Sequence, residues 1–239
     1  MEKKRITAIV LAAGSGRRMN SETPKQFMEI QGYPVVYYSL KAFEDSPVDS
    51  VVLVTGKEDV EYCKSEIVDY YGFTKVQAVV AGGKERFYSV YEGLLAAGMT
   101  DYVLVHDGAR PFLSQECICS SIEVVQKEEA CVLAVPVKDT IKVADEEGYV
   151  DKTLERNQLW AIQTPQSFSF SLLKEAYHRL FAIKDEAKWP AITDDAMLVE
   201  YFLNQKVKLI HGDYRNIKIT TPEDFAIAEL FLKQNETDF

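Results

Sequence analysis

Ile6-Thr7-Ala8-Ile9-Val10-Leu11-Ala12-Ala13-Gly14-Ser15-Gly16-Arg17-Arg18-Met19, continued by Pro24-Lys25-Gln26-Phe27, sets the terms on which the rest of the 239-residue chain is read. Residues 6–11 are mostly apolar and rich in Ile, Val and Leu, and Gly14 follows them, which is the pattern of a buried strand. The small residues of the loop after it let the backbone approach a ligand and turn its N–H groups toward an anion. Arg17, Arg18 and Lys25 add full positive charge beside that nest, and a triphosphate is the guest such chemistry suits. Two better-known glycine loops are excluded. Gly14 to Arg18 does not match G-x-x-x-x-G-K-S/T, and Met19 stands where the dinucleotide fingerprint needs its third glycine. An ordinary strand-to-helix turn carrying surface arginines is the competing explanation of this stretch alone.

Outward from it, apolar runs at 51–55, 76–81, 102–106 and 132–137 predict further buried strands. Helical spacing of apolar residues predicts helices over 35–43, from Val60 to Tyr71, over 89–97 and over 118–127. Strands that are nearly all apolar and alternate with helices imply a parallel sheet covered on both faces. Ligands in such folds sit at the carboxyl ends of the strands, where the loops after Leu11, Ala81 and His106 all fall. From Lys138 to Gln158 the pattern changes to a β-hairpin, with a turn at Glu146-Glu147-Gly148; a protruding arm and a plain surface hairpin are both compatible with it. Residues 159–164 return to the core, and helices are expected over 172–181 and 196–204, the second capped by Asp194 or Asp195. Strands are expected over 207–211 and 217–219, and a last helix begins at Thr221-Pro222-Glu223-Asp224 and frays after Lys233. The expected architecture is an α/β, Rossmann-like, mostly parallel sheet with helices on both faces, forming one domain over 1–239 with residues 138–158 as an arm.

Composition narrows the function. Hydrophobic residues make up 47% and charged residues 27%, ordinary for a globular protein, while a net charge of −10 argues against a surface that coats nucleic acid. No apolar run approaches a membrane span and no secretory signal precedes Ile6. Cys63, Cys117, Cys119 and Cys131 form no C-x-x-C pair and the three histidines are scattered, so free thiols in a cytoplasmic setting are expected.

Four further clusters fall in loops. Gly82-Gly83-Lys84-Glu85-Arg86-Phe87-Tyr88-Ser89 places a glycine pair ahead of a helix start that can meet an anion or a base edge. His106-Asp107-Gly108-Ala109-Arg110-Pro111 puts a carboxylate directly after a strand; it can hold Mg²⁺, cap the next helix, or pair with Arg110. Arg156-Asn157-Gln158-Leu159-Trp160-Ala161-Ile162-Gln163-Thr164-Pro165-Gln166 intersperses polar groups in an apolar run, as a buried network facing a pocket would. In Asn216-Ile217-Lys218-Ile219-Thr220, Lys218 faces opposite to its neighbours, into solvent or into the cleft.

Taken in order, with Thr193-Asp194-Asp195-Ala196 added, these motifs resemble those of the 2-C-methyl-D-erythritol 4-phosphate cytidylyltransferase family, within the nucleotidyltransferases that act on sugar phosphates. The resemblance runs from Ile6 to about Leu230. Ala12-Ala13 before Gly14, Glu155-Arg156-Asn157-Gln158-Leu159-Trp160, and Asp194-Asp195-Ala196 followed by Val199-Glu200 favour it over the similar ribitol-5-phosphate cytidylyltransferases. Lys84 departs from the Asp frequent in the family. The resemblance implies cytidylyl transfer from CTP with release of pyrophosphate, Mg²⁺ or another divalent cation held at Asp107, and a homodimer that exchanges arms. It implies Arg18 and Lys25 as transition-state stabilisers and Ala12, Ala13, Gly14, Gly83, Ser89 and Asp107 as nucleotide-binding residues. Arg156 and Lys218 would position the acceptor phosphate, with Arg110 and Thr140 beside it. A scaffold that binds nucleotides without turning them over would be expected to lack Arg18, Lys25 or Asp107, and all are present.

Overall fold

The computed structural model describes residues 3–14 and 23–237, so Arg17, Arg18 and Met19 lie outside the described residues. The opening stretch forms β1 (Ile6–Ala12), and Pro24 starts a single helical turn over Lys25–Phe27. A two-residue ribbon of β2 (Glu29–Ile30) and β3 (Tyr33–Pro34) leads into α1 (Val35–Glu44), then β4 (Ser50–Thr55). Helix α2 (Val60–Tyr62) continues as a π-helical turn over Cys63–Asp69 before β5 (Val76–Ala81). There follow α3 (Arg86–Ala96), β6 (Tyr102–Asp107), α4 (Gln115–Glu128) and β7 (Ala130–Pro136). The arm is β8 (Lys142–Ala144) paired antiparallel with β9 (Val150–Thr153). The chain closes with β10 (Trp160–Ser169), α5 (Phe170–Ala182), α6 (Asp195–Leu203), β11 (Lys208–His211) and α7 (Pro222–Thr237).

The main sheet has seven strands in the order β11-β7-β10-β6-β1-β4-β5. All neighbours run parallel except β10, which is antiparallel to both β6 and β7. The exception has a topological cause. The chain leaves β7 into the hairpin arm and returns at the same end of the sheet, with no crossover helix to carry it back, so the next strand must reverse. Alternate residues of each strand feed opposite faces. Ala8, Val10, Leu53 and Leu104 pack under α1 and α4, while Ile9, Val52, Val54 and Val105 pack under α3, α5 and α6. Helix α3 comes unusually close to the sheet because a Cβ on Gly93 would collide with Ile9 and Val54. A glycine inside a helix costs about 1 kcal/mol relative to alanine, and here it is what brings the two backbones together.

Register explains why distant loops meet. Leu11 lies opposite both Val54 and Asp107, and Thr55 lies opposite both Ala12 and Ala81. The chain segments that leave β1, β5 and β6 therefore emerge side by side at the carboxyl edge.

Several expectations are corrected. Residues 217–219 form no strand; Ile219 N–H donates to the Ala109 carbonyl and Asn216 buries its side chain, so the segment is laid across the 107–110 turn instead of joining the sheet. Helix α3 begins at Arg86 rather than Ser89, because Glu85 is extended and chain propagation starts at once after it. The helix over 196–204 takes the first of its two expected caps: Asp194 caps α6, its carboxylate accepting from Met197 N–H at 2.9 Å, which leaves Asp195 for another task. Helix α4 is capped by Ser114, which frees Asp107 from capping duty. The last helix is continuous through Thr237 instead of fraying at Lys233, with no glycine or proline after Pro222 to stop it.

Candidate active site

At the carboxyl edge lies a cavity of about 410 Å³ lined by Ala12, Ala13, Gly14, Lys25, Gly83, Arg86, Ser89, Asp107 and Lys218 among others. Most of the nucleotide-side residues predicted from sequence are thus brought together. Gly82 has no room for a side chain: a Cβ there would sit 2.5 Å from Ser89 Oγ and 2.8 Å from Ala13 Cβ. Ser89 Oγ in turn accepts from Gly83 N–H at 3.2 Å and donates to the Glu85 carbonyl at 3.3 Å, fixing the glycine loop to the first turn of α3. Lys25 is half-buried and its Nζ donates to the Ile219 carbonyl at 2.7 Å, tying the opening segment to the 216–219 segment. Gln26 Nε2 donates to the Ala12 carbonyl at 2.6 Å.

A second cavity of about 340 Å³ adjoins the first, bordered by Arg110, Gln163, Thr164, Gln166 and Asp194. Arg86, Asp107 and Lys218 line both. Asp107 is the hub of that shared wall. Its carboxylate lies 2.8 Å from Lys218 Nζ, 3.3 Å from Arg86 Nε and 3.6 Å from Arg110 Nε. Burial pushes its pKa up, but the charges of Arg86, Lys218 and Arg110 outweigh burial and hold it well below the usual carboxylate range. Arg110 is moved the other way, downward, because burial disfavours its charge more than Asp107 restores it. Lys218, whose orientation the sequence left open, points into the cleft.

The turn that presents Asp107 is pinned by His106, which is fully buried. Its Nε2 lies 3.2 Å from the Arg110 carbonyl, an acceptor, so that nitrogen carries the proton. Nδ1 is then the acceptor for Thr164 Oγ1 at 3.0 Å, and the same hydroxyl accepts from Asp107 N–H at 3.0 Å. Burial pushes the imidazole pKa down to about 4, which keeps this neutral tautomer in place. A register shift between Ile162 and Gln166 in β10 turns Gln163 and Thr164 toward this network, where Asn216 Nδ2 donates to the Thr164 carbonyl at 2.9 Å.

Thr140 and Arg156 line neither cavity. Both are exposed on the arm, and Arg156 Nη1 donates to the Lys138 carbonyl at 3.2 Å. Sequence reasoning gave no role to Arg86, although it falls three residues after Gly83, or to Tyr177, and read Asp195 only as an alternative helix cap; in the interior Asp195 pairs with Arg86 and accepts from Tyr177. Among the described residues no group of three or more His, Cys, Asp or Glu side chains could hold a metal ion. The donor set therefore does not fit an all-protein metal cage. It does fit a magnesium ion carried mainly by phosphate oxygens and water with Asp107 as its protein ligand, the usual arrangement for that ion.

Comparison with known proteins settles the family. A family model described as 2-C-methyl-D-erythritol 4-phosphate cytidylyltransferase matches residues 6–234. The chain belongs to that family. It is similar to the 2-C-methyl-D-erythritol 4-phosphate cytidylyltransferase of Lachnospira eligens, with 54% identity over 228 residues, covering 95% of this chain and 99% of the relative. The protein of the same name from Lachnoclostridium phytofermentans is 48% identical over 236 residues, 99% of each chain. Among solved structures, the 4-diphosphocytidyl-2C-methyl-D-erythritol synthase of Anaerococcus prevotii superposes with a TM-score of 0.83 at 37% identity, covering 96% of both chains. The α/β, mostly parallel architecture is thus that of the family. The Lys84 departure has a local explanation in this chain: its Nζ lies 3.2 Å from Glu186 and 5.0 Å from the ring centre of Tyr88, so it is engaged with the loop before α6.

Proposed function

We propose that the chain transfers the cytidylyl group of CTP to 2-C-methyl-D-erythritol 4-phosphate, giving 4-diphosphocytidyl-2-C-methyl-D-erythritol and pyrophosphate. The observation that carries this is the shared wall: a glycine-framed cavity meets a second cavity at Asp107, Arg86 and Lys218. Such a wall suits two phosphorylated substrates held end to end. The attacking group is a phosphate oxygen that is already ionised, so no catalytic base or covalent nucleophile is required. The chemistry reduces to neutralising two anions and aligning them, which is the work of fixed charges and geometry.

On this basis Ala12, Ala13, Gly14, Gly83 and Ser89 frame the nucleotide, partly through backbone groups. Lys25, together with Arg18 beyond the described residues, stabilises the α-phosphate and the leaving pyrophosphate. Lys218 and Arg110 hold the acceptor phosphate. Asp107 would hold a divalent cation, which when bound adds neutralising charge between the phosphates. Thr140 and Arg156 reach an acceptor only across a homodimer, and their exposure away from their own chain's cavities supports arm exchange. So does the arm's surface, where Tyr149 and Val150 are 70% and 61% exposed. We further assign the whole chain to one catalytic domain with 138–158 as its dimerisation arm. A cytoplasmic setting is consistent with four free cysteines, and no described helix is long and apolar enough to cross a membrane.

Pyrophosphate release from CTP, measured with 2-C-methyl-D-erythritol 4-phosphate and in parallel with D-ribitol 5-phosphate, tests the proposal. Turnover with the first acceptor is expected to exceed that with the second by orders of magnitude. Preference for ribitol 5-phosphate would reassign the acceptor, and nucleotide binding without any release would reduce the chain to a scaffold.

A further inference from the structure

Arg86 stands at the junction of the two cavities and is held from behind by a carboxylate that faces neither. Its Nη1 donates to Asp195 Oδ2 at 2.7 Å, while its Nε donates to Asp107 Oδ1 at 3.3 Å. The Asp195 side chain is 1% exposed. Its other oxygen, Oδ1, accepts from the hydroxyl of Tyr177 at 2.7 Å, and Tyr177 is wholly buried under α3 and α6. The backbone of Asp195 is clamped too, because Gln166 Oε1 accepts from the N–H groups of Asp195 and Ala196 at 3.0 and 3.1 Å. Gln166 Nε2 donates in turn to Asp194 Oδ2 at 2.9 Å. Both carboxylate oxygens and the backbone N–H of Asp195 are thus held.

Such an arrangement is poorly explained by stability. Burying an ion pair roughly breaks even against apolar packing, because desolvation cancels most of the attraction. What a buried, fully bonded carboxylate does supply is a fixed orientation for a planar guanidinium, whose donors lie in a rigid fork. Arg86 is 28% exposed at its side chain, so the face not held by Asp195 is open to the cavities. The ammonium of Lys218, the other cation common to both cavities, pairs at 2.8 Å with Asp107, the carboxylate it shares with Arg86 and Arg110.

Resting on the cytidylyl-transfer reading, we propose that Arg86 contacts phosphate oxygens where the two substrates meet. Asp195 is the positioning residue that aims it, and Tyr177 locks the aiming carboxylate. The substrate chemistry is a pair of phosphate groups brought within reach of one guanidinium. Occupation by phosphate draws Arg86 Nε from Asp107 while Nη1 stays on Asp195, so the guanidinium changes partner without losing its anchor.

The test is steady-state pyrophosphate release by the 239-residue chain carrying Asp195→Asn, Tyr177→Phe, Arg86→Ala, or Arg86→Ala with Asp195→Asn. Asp195→Asn is expected to lower kcat about 10- to 100-fold while the KM for CTP moves less than about threefold, the signature of a contact realised in the transition state. Tyr177→Phe is expected to lower kcat severalfold in the same manner. If Asp195 acts through Arg86, the double variant is no slower than Arg86→Ala alone. A folded Asp195→Asn protein with wild-type kcat overturns the proposal, as does a double variant in which the two losses multiply. A fall in melting temperature with kcat unchanged would mark Asp195 as merely structural and also overturn it. Should Asp195→Asn fail to fold by circular dichroism, Tyr177→Phe decides on the same criteria. An inactive wild-type protein would strike the cytidylyl-transfer reading, whereas an active one indifferent to Asp195 strikes only the positioning role.

Discussion

Replacing Lys218 by alanine should separate catalysis from folding more cleanly than any other single change at the site. Its Nζ sits 2.8 Å from Asp107 Oδ2, but the lysine side chain is 38% exposed and Asp107 keeps both Arg86 and Arg110 when it is gone. An ion pair so open to solvent is screened, and its loss costs about 1 kcal/mol or less of stability. For a chain of this size that corresponds to a fall of about 2–4 °C in melting temperature. In the proposed reaction, by contrast, Lys218 would face an acceptor phosphate in a site that the substrates themselves dry out. Loss of a charged contact there costs about 3 kcal/mol, or about 10²-fold in rate. The assay is pyrophosphate release with the acceptor varied at saturating CTP, alongside thermal melting of the same preparations. The expected result is a kcat/KM for the acceptor down about 10²-fold with the melting temperature nearly unchanged. A kcat/KM within about threefold of wild type would refute the assignment of Lys218 to the acceptor. A drop of 10 °C or more would show that the Asp107 cluster holds up the fold rather than the chemistry.

Three further outcomes follow from the same geometry. Because burial pushes His106 down to about 4 from an ordinary 6.5, its neutral form contributes stability that is complete above pH 6.5 and lost as pH falls toward 4, by about 3 kcal/mol in all; urea midpoints at pH 7 and pH 4.5 measure it, and equal midpoints would contradict a neutral, buried imidazole. Activity should respond to pH in a different window, since Asp107 stays ionised far below neutrality, so the acid limb of kcat/KM for the acceptor should follow the second ionisation of the acceptor phosphate, near pH ~6; a limb displaced by more than a unit would point to an essential side chain that titrates. Finally, random mixing of Arg156→Ala and Lys25→Ala subunits should recover about a quarter of wild-type activity, because each heterodimer regains one intact site if arms are exchanged; confirmed heterodimers with no recovered activity would rule out sharing.

The layered architecture was legible because it depends on local pattern. Residues 6–11, 51–55 and 102–106 are nearly all apolar, and the structure makes strands of all of them. What pattern could not supply was anything set by a distant partner. The reversal of β10 follows from the return path of the arm, and apolar periodicity is the same for a strand running either way. Ile217-Lys218-Ile219 alternates like a strand, yet the outer edge of the sheet is taken by β11, and the segment's hydrogen bonds go to the 107–110 turn. At the site, motif order located Lys25, Gly83, Ser89, Asp107 and Lys218, which the structure gathers around one cavity. Asp195 was hidden for a physical reason. An acidic residue beside another acidic residue at a helix start looks like a cap, and only tertiary structure shows that Asp194 does the capping while Asp195 turns inward to Arg86 and Tyr177. Tyr177 carries no sequence signal at all, being one more apolar position on the inner stripe of α5.

The wider consequence concerns how an acidic protein handles two anions. With a net charge of −10 the long-range field does nothing to draw phosphates in, so attraction must be local and the local cations must be ready before the substrate arrives. Cations packed together without ligands repel, and a site made only of Lys25, Arg86, Arg110 and Lys218 would splay. Asp107 resolves this by holding three of them within 3.6 Å of one carboxylate, on the wall shared by the two cavities. Since Asp107 and Arg110 are already largely out of bulk water, part of the desolvation is met by folding rather than during turnover, which is the condition under which fixed charges lower a barrier. The fold serves that end directly: β6 delivers Asp107, the turn pinned by His106 and Thr164 delivers Arg110, and α3 delivers Arg86. Cytidylyl transfer needs no reactive side chain when the sheet edge has already done the arranging.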